Sequence, residues 1–290
     1  MLKEVSGYLN LSPGKVIVDA TVGTGGHAQA ILERILPGGR LIAIDRDQES
    51  LALSRQRLKD FGDSCAFIHG NFADMDTMLE NLNIKEVDGI LFDLGISSYQ
   101  LQDAERGFSF RYEGPLDMRL DRKSYICAFD LINNLTEEEI STLLWNFGEE
   151  RWHNRIARHL VKERQRQPIS TTTELADIVV RSIPPRYRNR HYRIHPATRT
   201  FQAVRIAVNR ELEMLESAVN KAIAILARNA RICVISFHSL EDRVAKFSFR
   251  RAASEGLIDI ITPKPLTPEQ AEVEANPSSR SSKLRVAQRI

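Results

Sequence analysis

Residues 18–28 read VDATVGTGGHA, and this stretch decides the fold. Its first residues end a β-branched, apolar run at 16–19 that is typical of a buried strand, and a helical pattern follows from residue 28. Glycines at 23, 25 and 26 lie between them, where a tight turn needs residues that tolerate positive φ. The spacing Gly23-x-Gly25-x-x-Ala28 also fits the relaxed dinucleotide-binding fingerprint. A tight connection without a ligand is the alternative, and both interpretations predict a strand, a turn and a helix.

The same alternation continues outward from this turn. Residues 40–45, 66–69 and 89–93 have the composition of short buried strands, and helical patterns occur at 28–36 and 49–59. Much later in the chain, residues 231–236, RICVIS, predict another buried strand. Strands that alternate with helices at this pace form βαβ units and a parallel sheet covered on both faces. The predicted fold class is therefore α/β, with a doubly wound, Rossmann-like sheet.

The pattern between residues 105 and 198 is helical instead. Two capping boxes, each opening a helical pattern, are Thr136-x-x-Glu139 and Thr171-x-x-Glu174. We therefore predict a discontinuous α/β domain of residues 1–104 and 199–290, interrupted by a helical insertion domain of residues 105–198. Apolar residues at helical spacing predict one long helix over 203–226, and the tail from about residue 263 is expected to follow the surface before the basic Lys283–Arg289 end.

Composition excludes several classes of protein. Of the 290 residues, 42% are hydrophobic and 27% charged, which is close to the globular average and excludes collagen-like and wholly disordered chains. No apolar run approaches the roughly 18–20 residues that span a bilayer. The three cysteines are far apart and show no metal-ligand spacing. We therefore expect a soluble protein of a reducing, cytoplasmic compartment, without a metal site or a membrane partner.

The positive charge is concentrated in one part of the chain. Residues 151–210 contain thirteen Arg and one Lys against three acidic residues, a net +11, so the rest of the chain carries −9. Within them, the segment 184–196, PPRYRNRHYRIHP, interleaves arginine with tyrosine. A helix near residues 149–165 places Arg151, Arg155, Arg158 and Lys162 on one face. Guanidinium groups clamp phosphates and tyrosine rings stack on unpaired bases, so RNA is one interpretation and a solvated helical face is the other.

Polar residues that follow the predicted strands point to a cofactor. Asp45 ends the second strand twenty residues after Gly25, where a carboxylate can accept both hydroxyl protons of a ribose. NAD and S-adenosylmethionine both present that ribose, and a helix cap is the structural alternative for Asp45. His69–Asp74 follows the third strand, at a place suited to adenine recognition, and Asp93 ends the fourth. Open α/β sheets bind their ligands at these carboxyl ends.

Several longer segments of the chain resemble a known family. The matching segments, which span residues 19–289, are DATVGTGGHA, AIDRD, DGILFDLGISSYQLQDAERGFSFRYEGPLDMR, GEERW, HPATRTFQAVRIAVNREL, ISFHSLEDR and NPSSRSSKLRVAQR. They resemble the RsmH (MraW) family of S-adenosylmethionine-dependent methyltransferases that act on small-subunit ribosomal RNA. The resemblance implies a class I methyltransferase sheet with an inserted all-helical domain, and N4 methylation of a decoding-region cytidine in 16S rRNA. The cofactor contacts that it implies are Gly25, Gly26, His27, Asp45, Phe72, Asp93 and Gln100.

Candidate catalytic residues follow from the chemistry of the amine. The lone pair of cytosine N4 is delocalised into the ring, so positioning and a hydrogen-bond acceptor are the main requirements. Asp93 is the first candidate, and Ser97 and Ser98 are the next. His238 could face the target base, with a structural hydrogen bond as its alternative role. The expected partner is the small ribosomal subunit and not DNA, the oligomeric state is open, and no catalytic base is required.

Two other functions are compatible with parts of the sequence. An NAD-linked oxidoreductase would explain the glycine turn and Asp45 but not the basic insertion. A non-catalytic RNA-binding or assembly factor could keep the same fold without the activity.

Overall fold

The computed structural model describes residues 1–188 and 195–290. Its seven strands in these ranges form one sheet, and in chain order they are β1 (Val16–Asp19), β2 (Arg40–Asp45), β3 (Cys65–His69), β4 (Val87–Asp93), β5 (Leu226–Ser236), β6 (Ile258–Ile260) and β7 (Lys283–Arg289). The strand order across the sheet is β3-β2-β1-β4-β5-β7-β6. Neighbours from β3 to β5 are parallel, and β7 is antiparallel to both β5 and β6. The predicted α/β class with a mainly parallel sheet is confirmed.

Helices connect the strands and also make up a separate part of the chain. In chain order they are α1 (Leu2–Tyr8), α2 (Gly26–Ile35), α3 (Gln48–Arg57), α4 (Met75–Asn81), α5 (Ser98–Gln102), α6 (Ala128–Asn134), α7 (Glu137–Gly148), α8 (His153–Arg164), α9 (Thr172–Ser182), α10 (Pro185–Arg188), α11 (Thr198–Asn209), α12 (Glu211–Ile225), α13 (Ser239–Ser254) and α14 (Gln270–Ala275). Short 3₁₀ turns lie between several of them. No helix within the described ranges is long and apolar enough to cross a membrane.

The chain divides into two compact units, one of which is discontinuous. The first comprises residues 1–95 and 212–290, and the second comprises residues 96–211. Both predicted junctions, at 104/105 and 198/199, therefore lie inside the second unit. The reason is packing: Ile96 near one junction and Phe201, Ala203 and Val204 of α11 near the other belong to the apolar core of the second unit.

The core of the first unit lies on both faces of the sheet. Successive residues of a strand point to opposite faces, so Val18 and Ile17 of β1 belong to two different apolar clusters. Val18 pairs with Ile42 of β2 and Ile90 of β4, and all three are fully buried in the same cluster. Continuous apolar runs such as these are required where helices cover both faces of a parallel sheet.

The C-terminal end of the chain forms a strand that the sequence pattern did not reveal. Lys283–Arg289 is β7, which lies between β5 and β6 in the interior of the sheet. Its Leu284, Val286 and Ala287 are fully buried, and the buried Arg285 donates from Nε to Asp242 Oδ1 at 2.7 Å. The four charged or amide side chains among its seven residues mask the strand pattern in the sequence.

A second correction concerns the helix predicted over residues 203–226. The structure has two helices there, because α11 ends at Asn209 and Arg210 adopts φ 52°, in the left-handed region. The buried side chain of Asn209 stabilises the break between the two helices. Its Nδ2 donates to Met118 O at 2.7 Å, and its Oδ1 accepts from the backbone N–H of Leu120 at 2.8 Å. The apolar spacing continues through the break, so the sequence pattern did not reveal it.

The second unit is helical, as predicted for the insertion. Both capping boxes are present, at Thr136 with Glu139 and at Thr171 with Glu174. Its apolar core gathers residues from α6 to α9 and from α11. Arg164 at the end of α8 donates to Ile132 O and Leu135 O at 2.6 and 2.5 Å, and so satisfies carbonyls at the end of α6.

Candidate active site

Three parallel strands of the first unit each end in an aspartate. Asp19 ends β1, Asp45 ends β2 and Asp93 ends β4. Because β1 lies between β2 and β4, the three carboxylates meet at one edge of the sheet. The chain proceeds from β1 to β2 on one side and later to β4 on the other, which makes this edge the topological switch point. Open α/β sheets bind ligands at such a point.

The glycine turn lies over this edge and requires its glycines. Gly23 has φ 51° and Gly25 has φ 83°, conformations that L side chains rarely adopt. A Cβ on Gly25 would also lie only 3.3 Å from Ser54 Cβ. Helix α2 begins at Gly26, with Gly25 as its N-cap. The first helical turn therefore directs backbone N–H groups toward the switch point, without side chains on the glycines to block a ligand.

Asp45 connects this turn to the second strand. Its Oδ2 accepts a hydrogen bond from Gly23 N at 2.8 Å, and its Oδ1 accepts from Asp47 N at 2.9 Å. The helix cap of α3 is Asp47, which accepts from Glu49 N at 3.0 Å. The alternative that Asp45 is a helix cap is therefore wrong. Burial raises the pKa of Asp45 to about 6, against the hydrogen bonds that it accepts.

Asp93 faces His27 across the switch point. His27 Nε2 lies 3.5 Å from Asp93 Oδ2, and the backbone N–H of Asp93 donates to Thr21 Oγ1 at 2.6 Å. Burial, with a smaller contribution from Glu241, raises the pKa of Asp93 to about 7, against the N-terminal ammonium. Burial and the same ammonium lower the pKa of His27 to about 4. The imidazole is therefore neutral at pH 7. For both His27 and Asp93, the effect of desolvation on the pKa is larger than the effect of their mutual attraction.

Polar atoms at this edge lack partners. Asp93 Oδ1, His27 Nδ1 and Asp19 Oδ2 are buried and form no hydrogen bond with the described residues. An unpaired buried polar atom costs free energy, so a group that supplies the missing partners stabilises the site. The arrangement suits a ligand that carries hydrogen-bond donors and positive charge.

Asp19 is a functional candidate that the sequence patterns did not single out. Its side chain is 1% exposed and accepts one hydrogen bond, from Thr21 N at 3.2 Å. Burial and the nearby charges of Asp93 and Asp45 raise its pKa to about 8, although the bond from Thr21 acts in the opposite direction. An aspartate at the end of the first strand, like those ending the second and fourth, was the available signal.

Phe72 lies in the turn after β3, next along the same edge. It follows Asn71, whose side chain accepts from Ala73 N at 3.0 Å and so fixes the turn. The Phe72 ring packs edge-on against Phe92 of β4, with ring centroids 5.7 Å apart. The ring is partly buried, which leaves apolar surface for a flat ligand such as a purine.

Three other predicted site residues belong to the second unit. Ser97 is the N-cap of α5: its Oγ accepts from Gln100 N at 3.2 Å, and Gln100 Oε1 accepts from Ser97 N at 2.8 Å. Gln100 is buried and Ser98 is exposed. The capping box gives Ser97 and Gln100 a structural role, and their roles in catalysis and cofactor binding stay predictions.

His238 has a structural role of the kind considered as its alternative. It is the N-cap of α13, where its Nδ1 accepts from Glu241 N at 3.4 Å. Glu241 Oε2 in turn accepts from the backbone N–H groups of Phe237 and His238, at 2.8 and 3.3 Å. This capping box gives Nδ1 a structural role, while Nε2 is buried 3.2 Å from Glu241 Oε1 without a hydrogen bond to the described residues. A catalytic role for His238 stays a prediction.

The basic segment of residues 184–196 is only partly described. Arg190, Tyr192 and Arg193 lie outside the described residues. Tyr187 is described, and its ring centroid lies 5.2 Å from that of Trp152. The guanidinium carbon of Arg151 lies 4.7 Å from the centroid of Trp152 and 5.2 Å from that of Tyr187.

Comparison with known proteins identifies relatives over the full length. The family model described as the MraW methylase family matches residues 1–290. A protein of Sulfurihydrogenibium sp. (strain YO3AOP1), named ribosomal RNA small subunit methyltransferase H, is 47% identical over 99% of this chain and 97% of the relative. Relatives of the same name from Halothermothrix orenii and Clostridioides difficile are 44% and 40% identical, each over 100% of this chain and 97% of the relative. The solved structure of an rRNA methylase from Streptococcus thermophilus aligns with 100% of this chain and 93% of its own. The identity is 10% and the TM-score is 0.46, a similarity too weak to support an inference.

Proposed function

The chain belongs to the MraW methylase family, and we propose that it transfers a methyl group from S-adenosylmethionine to the N4 amine of a decoding-region cytidine in 16S rRNA. The observation that carries this proposal is the switch point of the sheet. It combines a glycine turn, Asp45 hydrogen-bonded to that turn, and Asp93, whose buried Oδ1 is unpaired among the described residues. Relatives at 40–47% identity are named for methylation of small-subunit ribosomal RNA, which supports the class of substrate.

The residues present fit S-adenosylmethionine. The molecule has ribose hydroxyls, an ammonium and a sulfonium, and the switch point offers the carboxylates of Asp19, Asp45 and Asp93. Asp45 would hold the ribose, since its oxygens accept backbone N–H groups, among them those of Gly23 and Asp47, and keep acceptor capacity for a hydroxyl. Phe72 would pack against adenine. Gly25, Gly26 and His27 would line the remainder, and Gln100 is a further contact that the family resemblance implies.

When bound, S-adenosylmethionine supplies a methyl group that is already activated on a sulfonium. The protein therefore has to position the amine and stabilise the charge that develops on it. Asp93 is the group that we assign to this task. Its Oδ1 can accept an N–H of the amine, and a pKa of about 7 suits it to take up the released proton near neutral pH. Nε2 of the neutral His27 lies 3.5 Å from Asp93 Oδ2 and is placed to orient that oxygen.

The substrate must present an unpaired base. A cytidine inside a folded ribosomal subunit has to leave its stack before an enzyme can reach N4, and protein contacts offset that cost. The net charge of +11 on residues 151–210 supports an RNA substrate, because it attracts phosphates and favours counterion release.

The decisive experiment is mass spectrometry of 16S rRNA nucleosides from cells with and without this protein. We expect an N4-methylated cytidine that disappears with the gene and returns with the wild-type chain but not with Asp93→Asn. An unchanged nucleoside profile would contradict the proposal. Two further measurements separate the alternatives: calorimetry with S-adenosylmethionine and with NADH tests the oxidoreductase, and methyl transfer to isolated small subunits tests the non-catalytic factor.

A further inference from the structure

Aromatic residues lie around the start of α8, where Trp145 is exposed and Trp152 and Tyr187 are partly buried. Both tryptophans of the chain, Trp145 and Trp152, are found there. Trp145, on α7, is 56% exposed, and its ring centroid lies 5.1 Å from that of His153, the first residue of α8. A large aromatic ring that remains exposed is costly in water, and exposed aromatic rings are the usual stacking platforms for unpaired bases.

Arg151 extends this group with a positive charge. Its guanidinium lies over the rings of both Trp152 and Tyr187, at 4.7 and 5.2 Å, while the residue as a whole is exposed. Contact with two rings restricts the long side chain before any ligand arrives, so little further conformational entropy is lost when it binds a phosphate. No ion pair with a carboxylate is formed by Arg151 among the residues that the structure describes.

A row of cations continues along α8. Arg155, Arg158 and Lys162 are separated by three and four residues, lie on one side of the helix and are all exposed. Arg158 lies 3.4 Å from Glu137 in an exposed pair, and Arg155 donates from Nε to Ser182 O at 2.9 Å. For Lys162 no carboxylate partner is found within residues 1–188 and 195–290. Exposed pairs are weak, so most of this positive charge stays available to a polyanion.

The pKa of His159 on α8 is sensitive to the positive charge of this face. Its Nδ1 lies 2.8 Å from Ser182 Oγ, which itself donates to Ile178 O, so Nδ1 carries the proton. Burial lowers the pKa of His159, and the charges of Arg155, Lys162 and Arg158 lower it further, while Glu163 opposes them. The three cations therefore all contribute to the positive electrostatic potential at His159.

We propose that this face binds single-stranded RNA, with an unpaired base stacked on the aromatic end and phosphates held by the row of cations. The α8 surface is defined as Trp145, Arg151, Trp152, Arg155, Arg158, Lys162 and Tyr187. The inference rests on the proposed function, whose substrate is a ribosomal RNA. It goes further by assigning the binding surface to particular residues. Aromatic rings at one end and a row of cations along the helix, on a face with few acids, match the chemistry of a nucleotide strand.

The first test uses the two tryptophans as the reporter. A single-stranded oligoribonucleotide of about 12 nucleotides, within the usual range of site sizes, should quench the intrinsic fluorescence of the wild-type protein in a saturable way. Since both tryptophans belong to the α8 surface, a signal that does not change at saturation would overturn the proposal. Binding itself is followed separately by the anisotropy of an end-labelled oligonucleotide.

Variants then separate charge from stacking. Arg155→Ala, Arg158→Ala and Lys162→Ala together should lower the slope of log affinity against log salt by about 2, at about 0.7 for each phosphate that the variant no longer binds. Trp145→Leu should weaken binding by about 5- to 100-fold and leave the slope unchanged. The matched control removes three cations of the first unit, Arg250, Lys264 and Arg280, and should change neither quantity.

A histidine titration by NMR provides an independent readout. The pKa of His159 should rise when the oligonucleotide binds, and it should rise without RNA in the triple variant. Wild-type affinity and slope in the triple variant would overturn the proposal, as would equal affinity for duplex RNA. So would equal binding of inorganic polyphosphate combined with no effect of Trp145→Leu. If the triple variant misfolds, Lys162→Ala alone is the test, with an expected slope change of about 0.7.

Failure of this inference is distinguishable from failure of the proposed function. Methyl transfer to isolated small subunits by the wild-type protein tests the function, and the oligonucleotide measurements test the surface. Calorimetry with S-adenosylmethionine confirms that each variant keeps its first unit intact.

Discussion

Replacing Asp93 by Asn should abolish most activity and at the same time stabilise the protein at alkaline pH. The substitution keeps the shape of the side chain but removes the charge and one acceptor. Loss of a single electrostatic interaction in a transition state commonly costs about 3–4 kcal/mol, which is about 10²–10³ in rate. We therefore expect single-turnover methylation of small ribosomal subunits to fall at least about a hundredfold.

The effect on stability follows from the raised pKa of Asp93. In the unfolded chain the carboxyl ionises near its ordinary value of 3.8, and in the folded protein it ionises near 7. The folded state therefore binds the proton more tightly, and the stability that this contributes is complete below about pH 4 and lost as the pH rises through about 7. The difference corresponds to at most about 4 kcal/mol, and because 32% of the side chain is exposed we expect about half of that.

The assay is urea unfolding of wild type and Asp93→Asn at about pH 4 and about pH 8.5, without cofactor. Wild type should lose about 2 kcal/mol more than the variant between the two conditions, and titrating groups that do not interact with Asp93 cancel in the comparison. Identical pH dependence would refute the assignment of a desolvated carboxyl at this position. Near wild-type methylation at saturating S-adenosylmethionine would make Asp93 structural and leave Ser97, Ser98 or His238 as candidates.

Three further predictions concern the cofactor site and the second unit. Asp45→Ala should weaken binding of S-adenosylmethionine by roughly 1.5–3 kcal/mol in calorimetry. It should also lower the thermal midpoint, because the carboxylate accepts the backbone N–H groups of Gly23 and Asp47. Unchanged affinity in a folded variant would contradict the ribose contact. Asn209→Ala should cost about 2–4 kcal/mol in urea unfolding, since it removes a buried amide with several backbone partners, and a loss below about 1 kcal/mol would show that the helix break does not depend on it. Gly107→Ala should strongly destabilise the second unit, because φ is +67° and a Cβ would overlap the carbonyl oxygen of Pro115. Gly256→Ala, at a similar φ but with nothing within 4 Å, is its control, and limited proteolysis compares the two.

The sequence by itself determined the features that depend on neighbouring residues. Short β-branched runs predicted the parallel strands, the glycines at 23 and 25 predicted the turn, and Thr136 and Thr171 predicted two helix starts that the structure contains. Each of these signals acts within a few residues, because strand pleat, positive φ and helix capping are local constraints.

Only the tertiary structure decided what depends on residues far apart in the chain. The place of Lys283–Arg289 inside the sheet rests on pairing with β5 and β6, and the helix break at Arg210 rests on contacts of Asn209 with residues about ninety positions earlier. The raised pKa values of Asp19 and Asp93 arise from burial beneath elements that no local pattern relates to them. Burial and long-range hydrogen bonds are properties of the packed chain, and they convert three strand-ending aspartates into one candidate active site.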